Sequence, residues 1–265
     1  MKRFLTLILI TASCSMAMAQ DEPNRIAIKA AYSSTWLLNK NVSDKNDMVD
    51  YASSFGPSFG IQYIRMLSEK VGLDIEILMS NHVQKYDGED ISTDLGITTT
   101  TTLTLEDRLK YLDIPILLRT GDGGGLYFEF GPQFSFLMNA EEDFGMTSYG
   151  PGFSFGDSYS DKDVKDDFND FIVSGVIGVG IDLALTDNLS LGGGLRLAYG
   201  FSDASTEYSK EEFNAKSDAE ALSANSAIIH TTGADLSQGA NQEQFGYEKT
   251  ARVSGGIHLA LTYRL

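Results

Sequence analysis

The sequence is poor in cysteine, in proline and in long apolar runs. Its 265 residues include one cysteine, Cys14, and five prolines. With a single thiol near the start of the chain, we expect no intramolecular disulfide and no chemistry that depends on paired thiolates. No run of about 18 apolar residues follows the N-terminal segment, so the sequence predicts no transmembrane helix.

Basic residues are also scarce. The chain has 20 Lys and Arg against 37 Asp and Glu, which gives a net charge of −17. A surface of this sign repels phosphate, and nucleic acid is therefore excluded as a partner. A hydrophobic content of 42% with 22% charged residues indicates a folded chain, and the length suits one domain.

The N-terminus has the features of a secretory signal peptide. Two basic residues precede the apolar run Phe4–Ile10, and an A-x-A cleavage site ends at Ala19. We therefore predict a signal peptide over residues 1–19 and a mature outer-membrane β-barrel domain over residues 20–265. Lipoprotein cleavage at Cys14 is the alternative, although the residues before this cysteine lack the usual aliphatic side chain.

The clearest pattern lies between Leu109 and Met138. Two arms alternate apolar and polar residues, which predicts strands with one apolar and one polar face. Between them, Thr120–Gly125 (TGDGGG) predicts a tight turn, because glycine tolerates positive φ. The apolar face includes Leu112, Ile114, Ile116, Leu118, Phe128, Phe130, Phe134 and Phe136.

The same alternation predicts eight strands in the whole chain. Besides the two arms of this hairpin, the strands cover about residues 25–36, 54–66, a segment from Val71, 169–185, 189–202 and 245–265. The long connections between them are segments 37–53, 87–102, 139–168 and 203–244. Ten strands is the variant, since Ala227–Thr232 could form part of an extra hairpin.

The connections alternate strictly between long and short. This asymmetry is typical of bacterial outer-membrane barrels, which have short periplasmic turns and long extracellular loops. An even number of strands then places both termini in the periplasm. Connections this long are unusual in a compact soluble domain. The sequence therefore predicts an all-β, eight-stranded antiparallel transmembrane β-barrel in the outer membrane, which we expect to be monomeric.

The acidic excess is confined to the four long connections. They hold 23 acidic and 6 basic residues, and the rest of the chain is neutral. We expect a solvated loop surface. The alternatives are contact with lipopolysaccharide through bridging divalent cations, or contact with other envelope proteins. Outer-membrane lipid is the expected partner of the barrel wall itself. The acidic residues of segment 161–167 lack the glycine-anchored spacing of a calcium loop, so no metal site is predicted there.

Alternation along the strands assigns a second group of charged residues to the face that points into the barrel. An eight-stranded barrel is just wide enough for side chains to fill, and charges inside it need partners. We therefore predict an ion-pair network that plugs the lumen, with a narrow small-solute pore as the alternative. Its expected members are Lys29, Asp74, Glu76, Asp113, Arg119, Glu129, Asp182, Arg196, Arg252 and Arg264.

Catalytic and cofactor-binding motifs are not evident. The three histidines are His82, His230 and His258, and none has a G-x-S-x-G-like setting. Ser80 has the same parity as His82, which is a weak indication of a nucleophile–base pair. We expect no catalytic residues, no cofactor and no enzyme activity.

Two local features give further expectations. Ser209 and Glu212 match a capping box, which predicts a helix over about 210–223, either a loop ornament or a lid. Pro115 and Pro132 each remove a ladder donor, which predicts a bulge or a broken ladder in the hairpin. Folding the hairpin about its turn places Pro115 opposite Phe130.

Three stretches resemble the PorT-like outer-membrane β-barrel family of Bacteroidetes. They are YLDIPILLR at Tyr111–Arg119, the segment FIVSGVIGVGIDLALTDNLSLGGGLRLAYGFSD, and the final strand that ends in LALTYRL. The resemblance implies an outer-membrane barrel, and for some family members a link to type IX secretion. We therefore expect a structural or surface-interaction role, with an accessory role in a secretion or envelope complex as the alternative.

Overall fold

The computed structural model describes residues 24–43, 49–121, 125–209, 211–212, 230 and 246–265. It contains ten strands within these residues and few helical turns. None of the helices among them is long and apolar enough to cross a membrane. The strands are β1 Arg25–Leu38, β2 Val49–Ala52, β3 Gly56–Ser68, β4 Val71–Asp94, β5 Ile97–Gly121, β6 Leu126–Gly150, β7 Phe153–Asp163, β8 Phe171–Ala184, β9 Leu189–Gly200 and β10 Ala251–Arg264, and a short α-helix, α1 Lys40–Ser43, follows β1.

Eight of these strands close into a ring. β1 pairs with β3 on one side and with β10 on the other, where the ladder runs from Arg25 opposite Arg264 to Leu38 opposite Ala251. From β3 the order continues through β4, β5, β6, β8 and β9 to β10, and every pair is antiparallel. The predicted eight-stranded antiparallel barrel is confirmed, and its closure leaves the ring without a free edge.

The two ends of the barrel differ. At one end β1 begins and β10 finishes, and the amide of Leu265 donates to the carbonyl oxygen of Asn24 at 2.8 Å. We call it the terminal end. The turns from β3 to β4, from β5 to β6 and from β8 to β9 are also here. The opposite end, which we call the distal end, carries the longer connections and the longest strands.

A continuous band of exposed apolar side chains surrounds the ring. Strand alternation places these residues on the outer face, because successive side chains of a strand point to opposite sides. Phe59 is 61% exposed and Ile28 is 65% exposed, which is far more than core residues of this type allow. We call this band the apolar belt; it includes Ile28, Phe59, Ile61, Ile77, Met79, Leu126, Phe128, Phe130, Ile177, Leu183, Leu195, Leu197, Ile257 and Leu259.

Beyond the belt, two of the segments predicted as loops are β-structure. β4, β5 and β6 are 24, 25 and 25 residues long and extend well past the belt on the distal side. A two-residue turn joins β4 to β5, with positive φ at both Leu95 (51°) and Gly96 (78°), as a type I′ hairpin requires. The prediction of a loop over 87–102 is therefore wrong, and threonine-rich strands occupy it, since threonine favours extended structure.

Two further strands lie outside the ring. β2 pairs with β4 over residues 49–52, and β7 pairs with β6 over most of the predicted loop 139–168. We call the four-stranded sheet of distal β4, β5, β6 and β7 the distal arm. The ten-strand variant placed the additional hairpin at 227–232; apart from His230, those residues lie outside the described part of the chain.

The inside of the distal end is packed with apolar side chains. One cluster centres on Leu37, Leu109, Tyr111 and Ile172, and a second on Tyr86 with its neighbours. Burial of each such side chain stabilises the fold by about 2 kcal/mol. We call the two clusters the distal core. It consists of Leu37, Leu109, Tyr111, Leu137, Ala140, Val164, Phe168, Ile172 and Ala204 in the first cluster, and Val42, Val49, Tyr86, Leu103, Leu105 and Phe144 in the second.

The prolines interrupt the wall, although in a different register from the one predicted. Pro115 lies opposite Gln133, not Phe130, because the turn is longer than assumed. The β5–β6 ladder lacks pairs at Ile116 and Leu117, where Pro132 and Gly131 face them. The β4–β5 ladder lacks the pair between Glu76 and Pro115. A broken ladder is thus present, while the bulge in the β5–β6 pair lies elsewhere, at Lys110–Tyr111.

The capping box before the predicted helix is present. The amide of Ser209 donates to the Glu212 carboxylate at 3.0 Å, and the amide of Glu212 donates to Ser209 Oγ at 3.3 Å. These two bonds satisfy donors at the start of a helix. The remainder of the helix predicted over 210–223 lies outside the described residues, as does the signal peptide predicted over 1–19.

Candidate functional site

Glu76 is the centre of the charged barrel interior. It lies on β4 and is fully buried. Lys29 Nζ on β1 contacts Glu76 Oε1 at 2.6 Å, and Arg196 on β9 reaches the two carboxylate oxygens at 2.8 and 2.9 Å. Arg196 reaches Glu76 from the opposite side of the ring, and the two pairings link three strands across the lumen.

Two more carboxylates complete this central layer. Arg196 also donates to Glu129 Oε1 on β6, at 2.8 Å from Nε and 2.6 Å from Nη2. Gln62 on β3 donates from Nε2 to Asp74 at 2.5 Å and to Glu76 at 3.2 Å. The layer therefore holds three buried carboxylates and two cations inside the barrel.

The central carboxylates are close enough to hold a cation. Asp74, Glu76 and Glu129 each offer an oxygen, and these atoms lie within 4.8 Å of one another. However, Lys29 and Arg196 already contact the oxygens of Glu76 and Glu129. The protein's own side chains therefore provide most of the counter-charge.

A second layer lies toward the terminal end. Arg119 on β5 pairs with Asp182 on β8 at 2.5 Å, and its guanidinium stacks over the Tyr127 ring at 3.4 Å. The Tyr127 hydroxyl is 2.8 Å from His258 Nε2. Arg25 at the start of β1 shares Asp182 at 3.7 Å.

A third layer lies toward the distal end. His82 Nε2 is 3.1 Å from Asp113 Oδ2, and His82 Nδ1 is 2.9 Å from Thr35 Oγ1. Arg252 lies 3.8 Å from Asp113 and donates to Ser135 Oγ at 2.6 Å. The distal core begins directly above, where the Arg252 guanidinium contacts the Tyr111 ring.

Nine of the ten side chains expected in the interior lie in these three layers. Arg264 is the exception, since it is exposed at the terminal end and pairs with no carboxylate among the described residues. Gln62 and Arg25 were not among the interior residues predicted from the sequence, although strand alternation places both on the inner face. Gln62 stands between the outward-facing Ile61 and Tyr63, and Arg25 precedes the outward-facing Ile26.

Glycines make room for the charged layers. A Cβ on Gly178 of β8 would lie 2.6 Å from Glu129 Oε1, and one on Gly180 would lie 2.3 Å from the Tyr127 hydroxyl. A Cβ on Gly192 of β9 would lie 2.7 Å from Asp182 Oδ1. The glycine-rich sequence of β8 and β9 is thus explained by large inward-facing side chains on the neighbouring strand, which lie directly over their glycine partners in the ladder.

The Ser80–His82 pair suggested by the sequence is not formed. His82 instead contacts Thr35 and Asp113, in the order hydroxyl, imidazole, carboxylate. Thr35 is only 1% exposed, so its hydroxyl is closed off from solvent. A nucleophile needs access to its substrate, so the arrangement fits a hydrogen-bonded interior better than catalysis.

The acidic residues after β6 are held apart by separate partners. Asp161 pairs with Arg108 at 2.7 Å, and Asp167 accepts a hydrogen bond from the Tyr208 hydroxyl at 2.6 Å. Arg108 also binds Asp143, and its hydrogen bond holds the pKa of that carboxyl below its usual value. This surface is an ion-pair cluster on the flank of the distal arm.

His230 ties the long β9–β10 connection to the distal core. Its Nε2 is 2.7 Å from the Tyr86 hydroxyl, its Nδ1 is 2.8 Å from Ser205 Oγ, and its carbonyl accepts from Asn41 at 2.6 Å. The ring is 1% exposed. Burial penalises the charged imidazolium and lowers the pKa of His230 to about 3.

One family model and several solved structures match the chain. The model described as "Outer membrane protein beta-barrel domain" matches residues 18–206. Neisserial surface protein A (NspA) is 11% identical, with 91% of this chain and 97% of that chain covered and a TM-score of 0.35. OprG from Pseudomonas aeruginosa is 9% identical, with 94% and 99% covered and a TM-score of 0.32.

The outer membrane protease OmpT from Escherichia coli is also among the matches. It is 7% identical, with 93% of this chain and 98% of that chain covered and a TM-score of 0.35. None of the curated proteins matches the chain.

Substitution of Gly178 tests whether the glycines accommodate the network. In Gly178→Ala the new methyl group displaces the Glu129 carboxylate from Arg196, so we expect the free energy of unfolding to fall by about 1–3 kcal/mol. The control is Gly193→Ala, whose Cβ would lie 3.2 Å from the flexible end of Leu259 and at an ordinary contact distance of 3.7 Å from the His258 carbonyl oxygen. Urea unfolding in detergent micelles measures both. Equal stability of the two variants would contradict this role for Gly178.

Acid should release the His230 segment. The folded pKa of His230 lies below the unfolded value of about 6.5. Burial of the neutral ring therefore contributes fully above pH 6.5, and this contribution decreases as the pH falls toward 3. At pH 5 the loss is about 2 kcal/mol. Hydrogen exchange of Tyr86 and Ser205 amides at pH 7.5 and 5 measures it, after correction for intrinsic exchange rates.

The variant His230→Gln is the control for this prediction. It keeps a polar side chain of similar size but does not titrate, so its protection should depend much less on pH between 7.5 and 5. Unchanged pH dependence in the variant would show that other groups control the release.

Proposed function

Because the chain belongs to the outer membrane protein beta-barrel domain family, we propose that it is an outer-membrane barrel with a non-enzymatic role in surface interaction. The observation that carries this proposal is the distal arm. Its strands extend far past the apolar belt, and its tip exposes large apolar side chains. The alternatives are an accessory role in an envelope complex and a small-solute pore.

The proposed orientation places the terminal end in the periplasm. Outer-membrane barrels have short periplasmic turns and longer extracellular connections. The terminal end carries three short turns as well as Asn24 and Leu265. With this orientation the distal arm projects from the cell, and the acidic excess lies mostly on the external side. Removal of residues 1–19 as a signal peptide is part of this proposal.

The filled interior argues against a pore. The charged layers occupy the middle and the terminal part of the lumen, and the distal core occupies the rest. Tyr86 and Tyr111 are completely buried, and Leu109 is 1% exposed. An apolar barrier of packed side chains gives a hydrated ion no path. This favours a function on the outside of the barrel.

The tip of the distal arm is the surface we propose for interaction. Leu95 at the β4–β5 turn is 95% exposed, Ile97 is 51% exposed and Phe155 is 59% exposed. Thr100 pairs with Tyr149, so this turn and the β6–β7 turn lie at the same end of the arm. Exposed apolar groups outside the membrane are costly in water and mark binding surfaces.

The PorT-like assignment stays a prediction that rests on the three stretches that resemble that family. It would make the partner a component of a secretion or envelope complex. Contact with lipopolysaccharide is a further proposal, because the ion-pair cluster around Arg108 lies just beyond the apolar belt. The barrel is proposed to act as a monomer.

Substitution at the tip tests the proposed interaction. In Leu95→Ser/Ile97→Ser the apolar anchors are lost, and we expect mild crosslinking on whole cells to capture a partner about tenfold less efficiently than in the wild type. The control is Thr93→Ser/Thr98→Ser in the same hairpin, which keeps the hydroxyl groups that bond at 3.1 Å. Equal capture by all three proteins would contradict a role of the tip.

A further inference from the structure

The terminal end of the barrel opens into a cationic cup of about 450 Å³. Among the residues that the structure describes, its charged lining consists of Arg25, Lys70, Arg119, Arg264, Glu69 and Asp182. Four cations thus face two carboxylates in a chain whose net charge is −17. Asp187 adds one more carboxylate in an adjoining cavity, and the cations remain in excess. The C-terminal residue Leu265 does not line either cavity.

Two guanidinium groups of the cup, those of Arg25 and Arg264, lie next to each other. Arg25 and Arg264 are direct partners in the β1–β10 ladder, so their side chains share one face, where like charges repel. Asp182 is already shared between Arg119 at 2.5 Å and Arg25 at 3.7 Å. Arg25 has a further interaction, and the capacity to bind a ligand therefore falls on Arg264 and Lys70.

We propose that this cup binds a phosphate group, with Arg264 and Lys70 as its ligands and Arg119 beneath them. The planar guanidinium donates two parallel hydrogen bonds to phosphate oxygens, and lysine adds a mobile point charge. An anion between Arg25 and Arg264 also relieves their repulsion. The group can belong to a phospholipid headgroup or to a free phosphate solute.

The rim of the cup connects it with the apolar belt. Leu126 is 45% exposed and Leu183 is 53% exposed, and both line the cup as well as the outer face. A phospholipid in the adjacent leaflet can place its headgroup in the cup while its acyl chains contact these leucines. The cup is at the opposite end of the barrel from the distal arm. The phosphate-binding proposal therefore does not depend on the proposed surface-interaction role.

Two probes test the proposal on the full-length protein in non-ionic detergent. Native mass spectrometry measures retention of phosphatidylglycerol, and ³¹P NMR line broadening measures binding of inorganic phosphate. We expect Lys70→Gln/Arg264→Gln to bind at least about tenfold more weakly than the wild type. The control is Arg65→Gln, which removes an exposed arginine on β3 that does not line the cup.

The outcomes separate the two sources of the phosphate group. Retention of the lipid without binding of inorganic phosphate assigns the cup to a headgroup, and the reverse assigns it to a solute; both support the proposal. Failure of the wild type to bind either probe would overturn it. Equal binding by the double variant, or an equal loss in Arg65→Gln, would also overturn it.

Discussion

The burial of Glu76 in a narrow barrel is the constraint on which the interior depends. An eight-stranded ring leaves room for side chains and little else. A carboxylate in that space costs several kcal/mol unless cations and donors surround it. Lys29 and Arg196 supply the cations for Glu76 from β1 and β9. Because Arg196 must reach across the lumen, Glu129 and Gln62 are drawn into the same layer.

This constraint also accounts for sequence features far from Glu76. β8 and β9 carry glycines where charged or aromatic side chains of the neighbouring strand lean over them, as at Gly178 beneath Glu129. Beyond the belt the same inward parity carries leucine, tyrosine and phenylalanine, and the interior changes from ion pairs to apolar packing. Ion pairs fill the middle of the barrel, and apolar side chains fill its distal part.

Strand alternation determines which side chains face the barrel interior, and this is what the sequence predicted correctly. Alternation assigned Lys29, Glu76, Glu129 and Arg196 to the interior, because a strand side chain has only two directions. It could not assign Arg196 to Glu76, since parity gives the face of a residue and not its height in the barrel. The position of Pro115 opposite Gln133 was missed for the same reason: the register depends on turn length, which the glycine-rich TGDGGG segment leaves open.

The distal arm was missed for a different reason. Its strands have water on both faces near the tip, so residues 89–102 show no apolar alternation and read as a loop. Their pairing follows from the Leu95–Gly96 turn and from threonine's preference for extended structure, two signals weaker than a hydrophobic pattern. Arg264 had the right parity, yet its strand ends at the mouth, where the side chain meets solvent.

Between the terminal cup and the distal end, packed side chains block the lumen. The most direct test is single-channel recording of the purified full-length protein in planar bilayers, with protein-free detergent as the background. The account predicts no stable, large conductance at any applied voltage that the bilayer tolerates. Reproducible open steps would contradict a filled lumen and would favour the small-solute pore.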